Sequence, residues 1–461
     1  MNELFPYQKI GAEWLANAKD RWLLLADEPG LGKTAQALEA INKLRIREAL
    51  VVCPAIARLN WFGEVEKFTK VPLRLHAYSF NTTFTERDTA TAKKSHTVRP
   101  KKELLRPWPL LIVDESHYLA NPSAQRARAV YLHIAPYAER VWCLSGTPAK
   151  NHAGDMYTLL RASGLYVNTF EAFVSQFCQT IDTPYGQRIV GSKNITALRK
   201  LWEPIMLRRR KKDVLPELPP LLFCDVCVEP GPVNAERWFP QAVLGVEALN
   251  GLLQSIEREQ AAMKLLLDHL PEEGASAQAL APLEHGLEVS RQWVELQKVE
   301  PVAELVAQEL DDNQYDKIIL FCWHKSVIAE FRHRLHRFNP ARISGETRGQ
   351  AKHEQERKFQ FDPTCRVLLG QTISCGISVT LTAATEVGVV GPAYTPADNT
   401  QAVLRAHRIG QHHPVRARFF YIDNGTDKKQ QRILMRKTKE MAEMFDPLIN
   451  AVDPLEGLEG R

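Results

Sequence analysis

Short apolar runs alternate with amphipathic stretches along the first two hundred residues. Residues 22–26, 49–53, 110–113 and 141–144 are each four or five consecutive apolar positions. Runs of that length without polar alternation predict strands buried on both faces. Between the first two, Ala37, Leu38, Ile41 and Leu44 recur at helical spacing and predict a helix over 34–44 with one apolar face. Such a rhythm argues for a parallel sheet with helices on both sides. Residues 82–109 break it, being polar and rich in Lys and Arg, and predict an exposed basic loop.

The rhythm resumes in the last third, where 317–322, 366–369, 387–390 and 417–421 predict a second strand series. Between the halves, Leu215-Pro216-Glu217-Leu218-Pro219-Pro220 is a stiff, helix-breaking junction. From 234 to 309 the chain is rich in Leu, Ala, Glu and Gln with almost no strand signal, which predicts an inserted helical element. The halves read as two copies of one architecture carrying different motifs.

Composition narrows the class. With 461 residues, 44% hydrophobic and 25% charged, the chain reads as a soluble globular protein of two or three domains, neither disordered nor fibrous. No run approaches the roughly 18 apolar residues that a membrane helix needs. Met1-Asn2-Glu3-Leu4 has no basic-then-apolar leader, so no secretion signal is expected. Eight cysteines are too sparse for a disulfide scaffold and suggest a reducing compartment, cytosolic or nuclear. A net charge of +5 permits a nucleic-acid partner without demanding one.

Two motifs carry chemistry. Asp27-Glu28-Pro29-Gly30-Leu31-Gly32-Lys33-Thr34 follows an apolar run and opens a helix. In that setting glycines let backbone N–H groups approach phosphate, the helix N-terminus adds its dipole, Lys33 bridges terminal phosphates and Thr34 reaches Mg²⁺. The strict phosphate-loop pattern wants glycine where Asp27 stands, so the match is to the G-x-G-K-T helicase variant. A Gly-rich turn with a solvated lysine is the plain alternative, and it does not call for the strand before and the helix after. Asp114-Glu115, at the end of an apolar strand, is the natural partner. Asp114 would hold Mg²⁺ and Glu115 would polarise the attacking water. Together the two motifs predict a nucleoside triphosphatase.

An ordered series over nearly the whole length resembles the Swi/Snf-type ATPases of helicase superfamily 2. Phe5-Pro6-Tyr7-Gln8 with Gly11 and Trp14 resembles the opening glutamine motif, and 27–34 the D-E-x-G-L-G-K-T loop. Val52-Cys53-Pro54 with Asn60-Trp61 and Phe68 resembles the next motif. Asp114-Glu115-Ser116-His117 resembles the D-E-x-H box, and Leu144-Ser145-Gly146-Thr147-Pro148 with Asn151 the L-[ST]-G-T-P-x-x-N motif. Leu207-Arg208-Arg209 with Lys211 and Asp213-Val214-Leu215 resembles the exit of the first lobe. Gln401-Ala402-Val403-Leu404-Arg405-Ala406-His407-Arg408-Ile409-Gly410-Gln411, close to Q-A-x-x-R-x-H-R-I-G-Q, is the most specific. Asn424-Gly425-Thr426-Asp427 and the basic helix through Lys439 resemble a C-terminal brace. The D-E-S-H-Y-L wording and the brevity resemble the annealing-helicase-like branch and its prokaryotic or phage relatives.

The resemblance implies an α/β fold of two RecA-like lobes, each a mainly parallel sheet with helices on both faces, plus a helical insertion. Its expected divisions are 1–218 for the N-terminal ATP-binding lobe, 219–309 for junction and insertion, 310–448 for the C-terminal lobe with brace helix, and 449–461 for the tail. It implies ATP and Mg²⁺ as cofactors. Gln8, Asp27, Glu28, Pro29, Gly30, Leu31, Gly32, Lys33 and Thr34 would bind nucleotide, with Gln8 reading adenine, and Thr34 and Asp114 would hold the metal. Lys33, Asp114, Glu115, Gln401, Arg405 and Arg408 would be catalytic, the arginines reaching the γ-phosphate from the second lobe. Lobe closure would then couple hydrolysis to movement on double-stranded DNA, by a monomer with no membrane partner. The implied compartment is nuclear in a eukaryote, and nucleoid or host cytoplasm in a prokaryote or phage. A strand-separating helicase, a motor subunit of a larger complex and a nucleotide-gated DNA-binding module are the alternatives.

The series has departures. Ser378 and Thr380 stand where the second-lobe coupling motif has Gly and Asn, which puts coupling in question, and Pro29 replaces the usual methionine. Cys224-Asp225-Val226-Cys227 has no second ligand pair and reads as part of a buried strand rather than a zinc site. Arg208-Arg209-Arg210-Lys211-Lys212 reads as part of the lobe exit rather than a localisation signal, and Lys93, Lys94, Arg99, Lys101 and Lys102 as a solvated loop.

Overall fold

In the computed structural model, the apolar runs of the first half lie side by side. β1 (Trp22–Leu25), β2 (Glu48–Cys53), β3 (Arg74–Ser79), β4 (Leu111–Asp114) and β5 (Val141–Leu144) form one sheet. A two-stranded sheet holds β6 (Cys178–Thr183) and β7 (Gly186–Ser192), and β8 (Met206–Leu207) then joins the first sheet. Its order is β3-β2-β4-β5-β1-β8, every pair parallel. The structure describes residues 3–55, 57–84, 99–183, 186–233, 235–238, 291–347, 350–372 and 379–423, with nine positions between 427 and 445.

β1, β2, β4 and β5 are buried on both faces because each face has its own cover. Leu23, Leu25, Val51, Ile112, Trp142 and Leu144 pack with α1 (Pro6–Asn17), α2 (Lys33–Leu44) and α3 (Ala57–Phe68) through Leu15, Leu38, Ile41 and Trp61. The alternate positions Trp22, Leu24, Leu50, Val52, Val113 and Cys143 pack on the other side with Ile134, Phe173, Phe177 and Trp202. Each fully buried aliphatic side chain contributes about 1.5–3 kcal/mol, which is why apolar residues at both parities mark these strands.

In the second half, β9 (Leu221–Cys227), β10 (Ile318–Cys322), β11 (Ala341–Ile343), β12 (Val367–Gln371), β13 (Glu386–Val389) and β14 (Val415–Tyr421) form another all-parallel sheet, of order β11-β12-β10-β13-β14-β9. One face packs against helices Val299–Asp311 and Lys325–Arg334, the other against Phe359, Ala402 and Val403. The fold is thus two parallel-sheet lobes with flanking helices. They are not strand-for-strand copies, because the two strand orders differ.

Two other expectations change. The stretch read as a buried strand over 223–228 is the edge strand β9, and its outer positions Leu222, Phe223 and Cys227 are exposed. Within the expected basic loop, Leu104 and Trp108 are buried, and Arg106 lies 3.7 Å above the Trp108 ring while pairing with Glu48 at 2.7 Å. That cation–π stack, with the ion pair behind it, holds down a segment whose charge alone suggests solvent. Most of the helical insertion, 239–290, lies outside the described residues, as do Ser378, Lys93, Lys94 and Asn424.

The described residues divide into two compact units. The first takes those of Met1–Gln179, Ile189–Glu217 and Glu440–Asn450, and the second those of Thr180–Arg188 and Leu218–Lys439. Phe445 belongs to the first, stacked on Trp202 with 5.4 Å between ring centroids. Among the described residues no helix is long and apolar enough to cross a membrane.

Candidate nucleotide site

Strand order builds the site. β4, β5, β1 and β8 are consecutive neighbours, and one register row crosses all four: Asp114 faces Leu144, Leu144 faces Leu25, and Leu25 faces Leu207. The next residues, Glu115, Ser145, Ala26 and Arg208, therefore leave the sheet together at its C-terminal edge, where open parallel sheets bind ligands.

The loop after β1 turns through Gly30 at φ 94° and Gly32 at φ 73°, conformations glycine adopts without a Cβ penalty. Gly32 caps α2, so the loop's N–H groups and the helix N-terminus form an anion cradle. Ala26 and Leu31 anchor it in the core, while Glu28, Pro29, Lys33 and Thr34 are half-buried. Lys33 Nζ donates to the carbonyl oxygens of Asp27 (2.7 Å) and Glu28 (3.3 Å). Burial pushes its ammonium below the usual range, against the pull of Glu115, Asp27 and Asp114. Gln8 is buried over Gly32: its Nε2 donates to Leu31 O at 3.2 Å and its Oε1 accepts from Phe5 N at 3.0 Å. A Cβ on Gly32 would stand 2.4 Å from that Nε2.

The acidic pair ends β4. Burial, then the charge of Glu115, pushes the Asp114 carboxyl up to about 7, while Trp61 and Lys33 pull the other way. The Trp61 indole donates to Asp114 Oδ2 at 2.9 Å. Glu115 is held at φ 53°, a left-handed conformation that non-glycine residues rarely adopt. Its Oε2 is buried without a hydrogen-bond partner among the described residues; His117 Nδ1 stands 3.4 Å away. His117 Nδ1 also shares a 2.9 Å hydrogen bond with Ser145 Oγ, which accepts from Thr147 N at 3.2 Å. Burial, then Lys150 and Lys33, pushes the His117 imidazole well below its usual range, so it is neutral at pH 7. A neutral histidine thus joins the acidic pair to the loop after β5.

The segment after β8 clamps the phosphate loop from the other side. Ala26 N donates to Leu207 O (2.7 Å) and Glu28 N to Arg209 O (3.0 Å), extending the parallel pairing past the strand ends. Arg208 Nη1 donates to Ala26 O (2.9 Å) and Gly146 O (3.2 Å). Arg209 grips the fully buried Asp27 with two bonds, Nε to Oδ1 at 3.0 Å and Nη2 to Oδ2 at 2.5 Å. Buried Gln36 donates to Asp27 Oδ2 at 3.0 Å and accepts from Arg209 Nη2 at 2.8 Å. Trp61, Gln36 and Arg209 carry no chemistry that sequence reasoning assigned to the site. The available signal was Gln36, a polar residue among the apolar positions of α2.

In the second unit, Thr395 caps helix Pro396–Val403, and its hydroxyl accepts from Asp398 N at 3.3 Å. Gln401 and Arg405 are buried and Arg408 is half-buried, with Arg408 Nε donating to Leu404 O at 3.3 Å. Gln411 Nε2 reaches the carbonyls of Thr382, Ala384 and Ala406, and His407 Nε2 meets Pro219 O at 2.7 Å. Gln411 and His407 therefore fix this turn. Thr380 N, at the second altered position of the coupling motif, donates to Glu356 Oε1 at 2.7 Å.

A glycine-lined anion cradle beside paired carboxylates on a parallel sheet defines the phosphate-loop class of nucleotide hydrolases. Within it, an SNF2-related domain is matched over residues 7–226 and a helicase conserved C-terminal domain over 297–410, together more than two thirds of the chain. The chain belongs to the SNF2 family of helicase-like ATPases. It is 27% identical over 96% of its length to the Xenopus laevis SWI/SNF-related matrix-associated actin-dependent regulator of chromatin subfamily A-like protein 1, covering 44% of that protein. Identity to the Bos taurus DNA annealing helicase and endonuclease ZRANB3 is also 27% over 95% of this chain, covering 40% of that one. The chain thus spans less than half the length of these curated relatives. Among solved structures, the Sulfolobus solfataricus SWI2/SNF2 ATPase core in complex with dsDNA is 20% identical, with 98% of this chain and 94% of that one covered and a TM-score of 0.41.

Proposed function

We propose that the chain hydrolyses ATP with Mg²⁺ at the edge formed by β1 and β4, and uses the cycle to move along double-stranded DNA as a monomer. The observation that carries this reading is the convergence of Lys33 with Asp114 and Glu115, the last with a buried oxygen that lacks a hydrogen-bond partner among the described residues. Magnesium prefers hard oxygen ligands and keeps several waters. The Asp114 carboxylate and Thr34 hydroxyl are donors of that kind, and a divalent cation would stabilise the ionised Asp114 that burial disfavours. When bound, the metal would neutralise charge on the phosphate oxygens.

In this reading Lys33 exchanges the carbonyls of Asp27 and Glu28 for the terminal phosphates. The loop N–H groups hold the remaining oxygens. Glu115 orients a water whose oxygen attacks the γ-phosphorus as the bond to the bridging oxygen breaks, releasing ADP and phosphate. Gln401, Arg405 and Arg408 complete the site from the second lobe, so turnover waits on lobe closure and is tied to movement. Gln8 stands beside the loop for the base. Duplex DNA is held through its phosphates, independent of sequence and weakened by salt. The names of the annealing-helicase relatives support DNA as the polymer.

Two variants test the site. Lys33→Ala is expected to abolish turnover with an unchanged melting temperature; unchanged hydrolysis would overturn the assignment. Arg408→Ala is expected to bind ATP normally and lose about 10³-fold or more in kcat. Loss of binding would instead mean that Arg408 serves the ground state only.

A further inference from the structure

We propose that Arg209 is a positioning residue for the phosphate loop: its two-bonded grip on Asp27 fixes the loop and thereby sets affinity for the nucleotide's phosphates. The inference rests on the nucleotide reading above. It adds a residue outside the phosphate loop and the acidic box, at the exit of the first unit.

The cluster beneath the loop is built around this pair. Asp27 has no solvent exposure and the Arg209 side chain 13%, so neither charge is well hydrated and each depends on the other. Besides Asp27 and Gln36, Arg209 donates through Nη1 to Tyr7 O at 2.5 Å, which ties in α1. Tyr7 Oη in turn donates to Leu31 O at 3.3 Å, and Gln36 Nε2 to the same oxygen at 3.1 Å. The backbone follows the same path, since Arg209 O accepts from Glu28 N and Lys211 N donates to Glu28 Oε2 at 2.7 Å. The two carbonyls on which Lys33 rests are those of Asp27 and Glu28, the residues that Arg209 and its neighbours hold. A shift of Arg209 is therefore a shift of the lysine's cradle. Gly11 leaves room for the arrangement: a Cβ there would stand 1.9 Å from Gln36 Oε1 and 2.6 Å from Arg209 Nη2.

Lys33, on a flexible side chain, can still reach the terminal phosphates, whereas the loop's N–H groups would grip phosphate in both ground and transition states. Misplacing them removes uniform binding, which raises KM and leaves kcat largely intact. A merely structural role would instead lower the melting temperature and the active fraction, with KM unmoved. Lysine cannot reproduce the planar two-bonded fork, so Arg209→Lys keeps the charge and deletes the geometry. Gly11→Ala deletes no polar group and displaces the pair through two flexible side-chain ends.

The test is steady-state ATP hydrolysis and fluorescent-nucleotide binding on the full chain with Arg209→Lys, Gly11→Ala and Lys33→Ala, each with a thermal melt. Both of the first two are expected to raise KM and the nucleotide Kd about tenfold, with kcat within about threefold of the parent. Parental KM in both, with or without a lower melting temperature, would overturn the inference. If Arg209→Lys does not fold, Gly11→Ala decides by the same criterion. Should that variant fail as well, the neutral pair Asp27→Asn with Arg209→Gln decides. Failure of the nucleotide reading looks different, because Lys33→Ala would then keep its nucleotide.

Discussion

The Trp61 indole donates to an Asp114 oxygen that burial and Glu115 have made reluctant to ionise. That bond favours the carboxylate, so it lowers a pKa that other forces raise. Between its ordinary value of 3.8 and about 7 the folded chain binds this proton more tightly than the unfolded one. The nucleotide-free protein therefore loses stability from this group as pH climbs through that window. Binding of a Mg²⁺–nucleotide needs the carboxylate and is expected to strengthen as pH rises to about 7 and then level off. A hydrogen bond to a charged group contributes about 1.5–3 kcal/mol, one to two pH units. Trp61→Phe should thus move the acidic limb of kcat/KM one to two pH units toward alkali, read from profiles between pH 5.5 and 9. An unmoved limb would mean the indole is only packing. Lys33, Asp114 and Glu115 were legible because their residue types carry the chemistry. Trp61 and Arg209 stood in family motifs without an assigned role and Gln36 in none, since each acts through a partner that only the folded chain brings near.

At the scale of elements, β1, β4 and β5 were legible to within a residue because two covered faces demand apolar residues at every position. β3 was not, since Arg74 and His76 sit among its apolar residues at the sheet's edge. The two-residue β8 exists only through its pairing with β1. Yet β8 brings Arg208 and Arg209 to the loop, so the least legible strand is among those nearest the site. The loop after β5 closes against the phosphate loop just as tightly. A Cβ on Gly146 would stand 2.7 Å from Pro29 Cδ and Cγ and 2.9 Å from its nitrogen. A proline ring has little freedom to yield, so Gly146→Ala should cost about 1–3 kcal/mol and displace the phosphate loop. The check is a thermal melt with and without nucleotide. Nucleotide-dependent stabilisation is expected to shrink in the variant, and an undiminished shift would mean that the contact does not bear on binding.

For the whole molecule, apolar runs foretold two parallel-sheet lobes but not their differing strand orders. Order is set by which crossover spans which strand, and buried strands of similar composition leave no mark of it. The return of Met444 and Phe445 to the first unit, where Arg199 Nε donates to Met444 O at 3.1 Å, was equally hidden. The chain's action as a motor is tested by steady-state ATP hydrolysis with no nucleic acid, single-stranded DNA, duplex DNA and duplex RNA, beside Lys33→Ala. A DNA motor should show strong stimulation by duplex DNA, weaker stimulation by the other polymers and none in the variant. Equal or better stimulation by single strands, or bound ATP with no turnover under any condition, would contradict it.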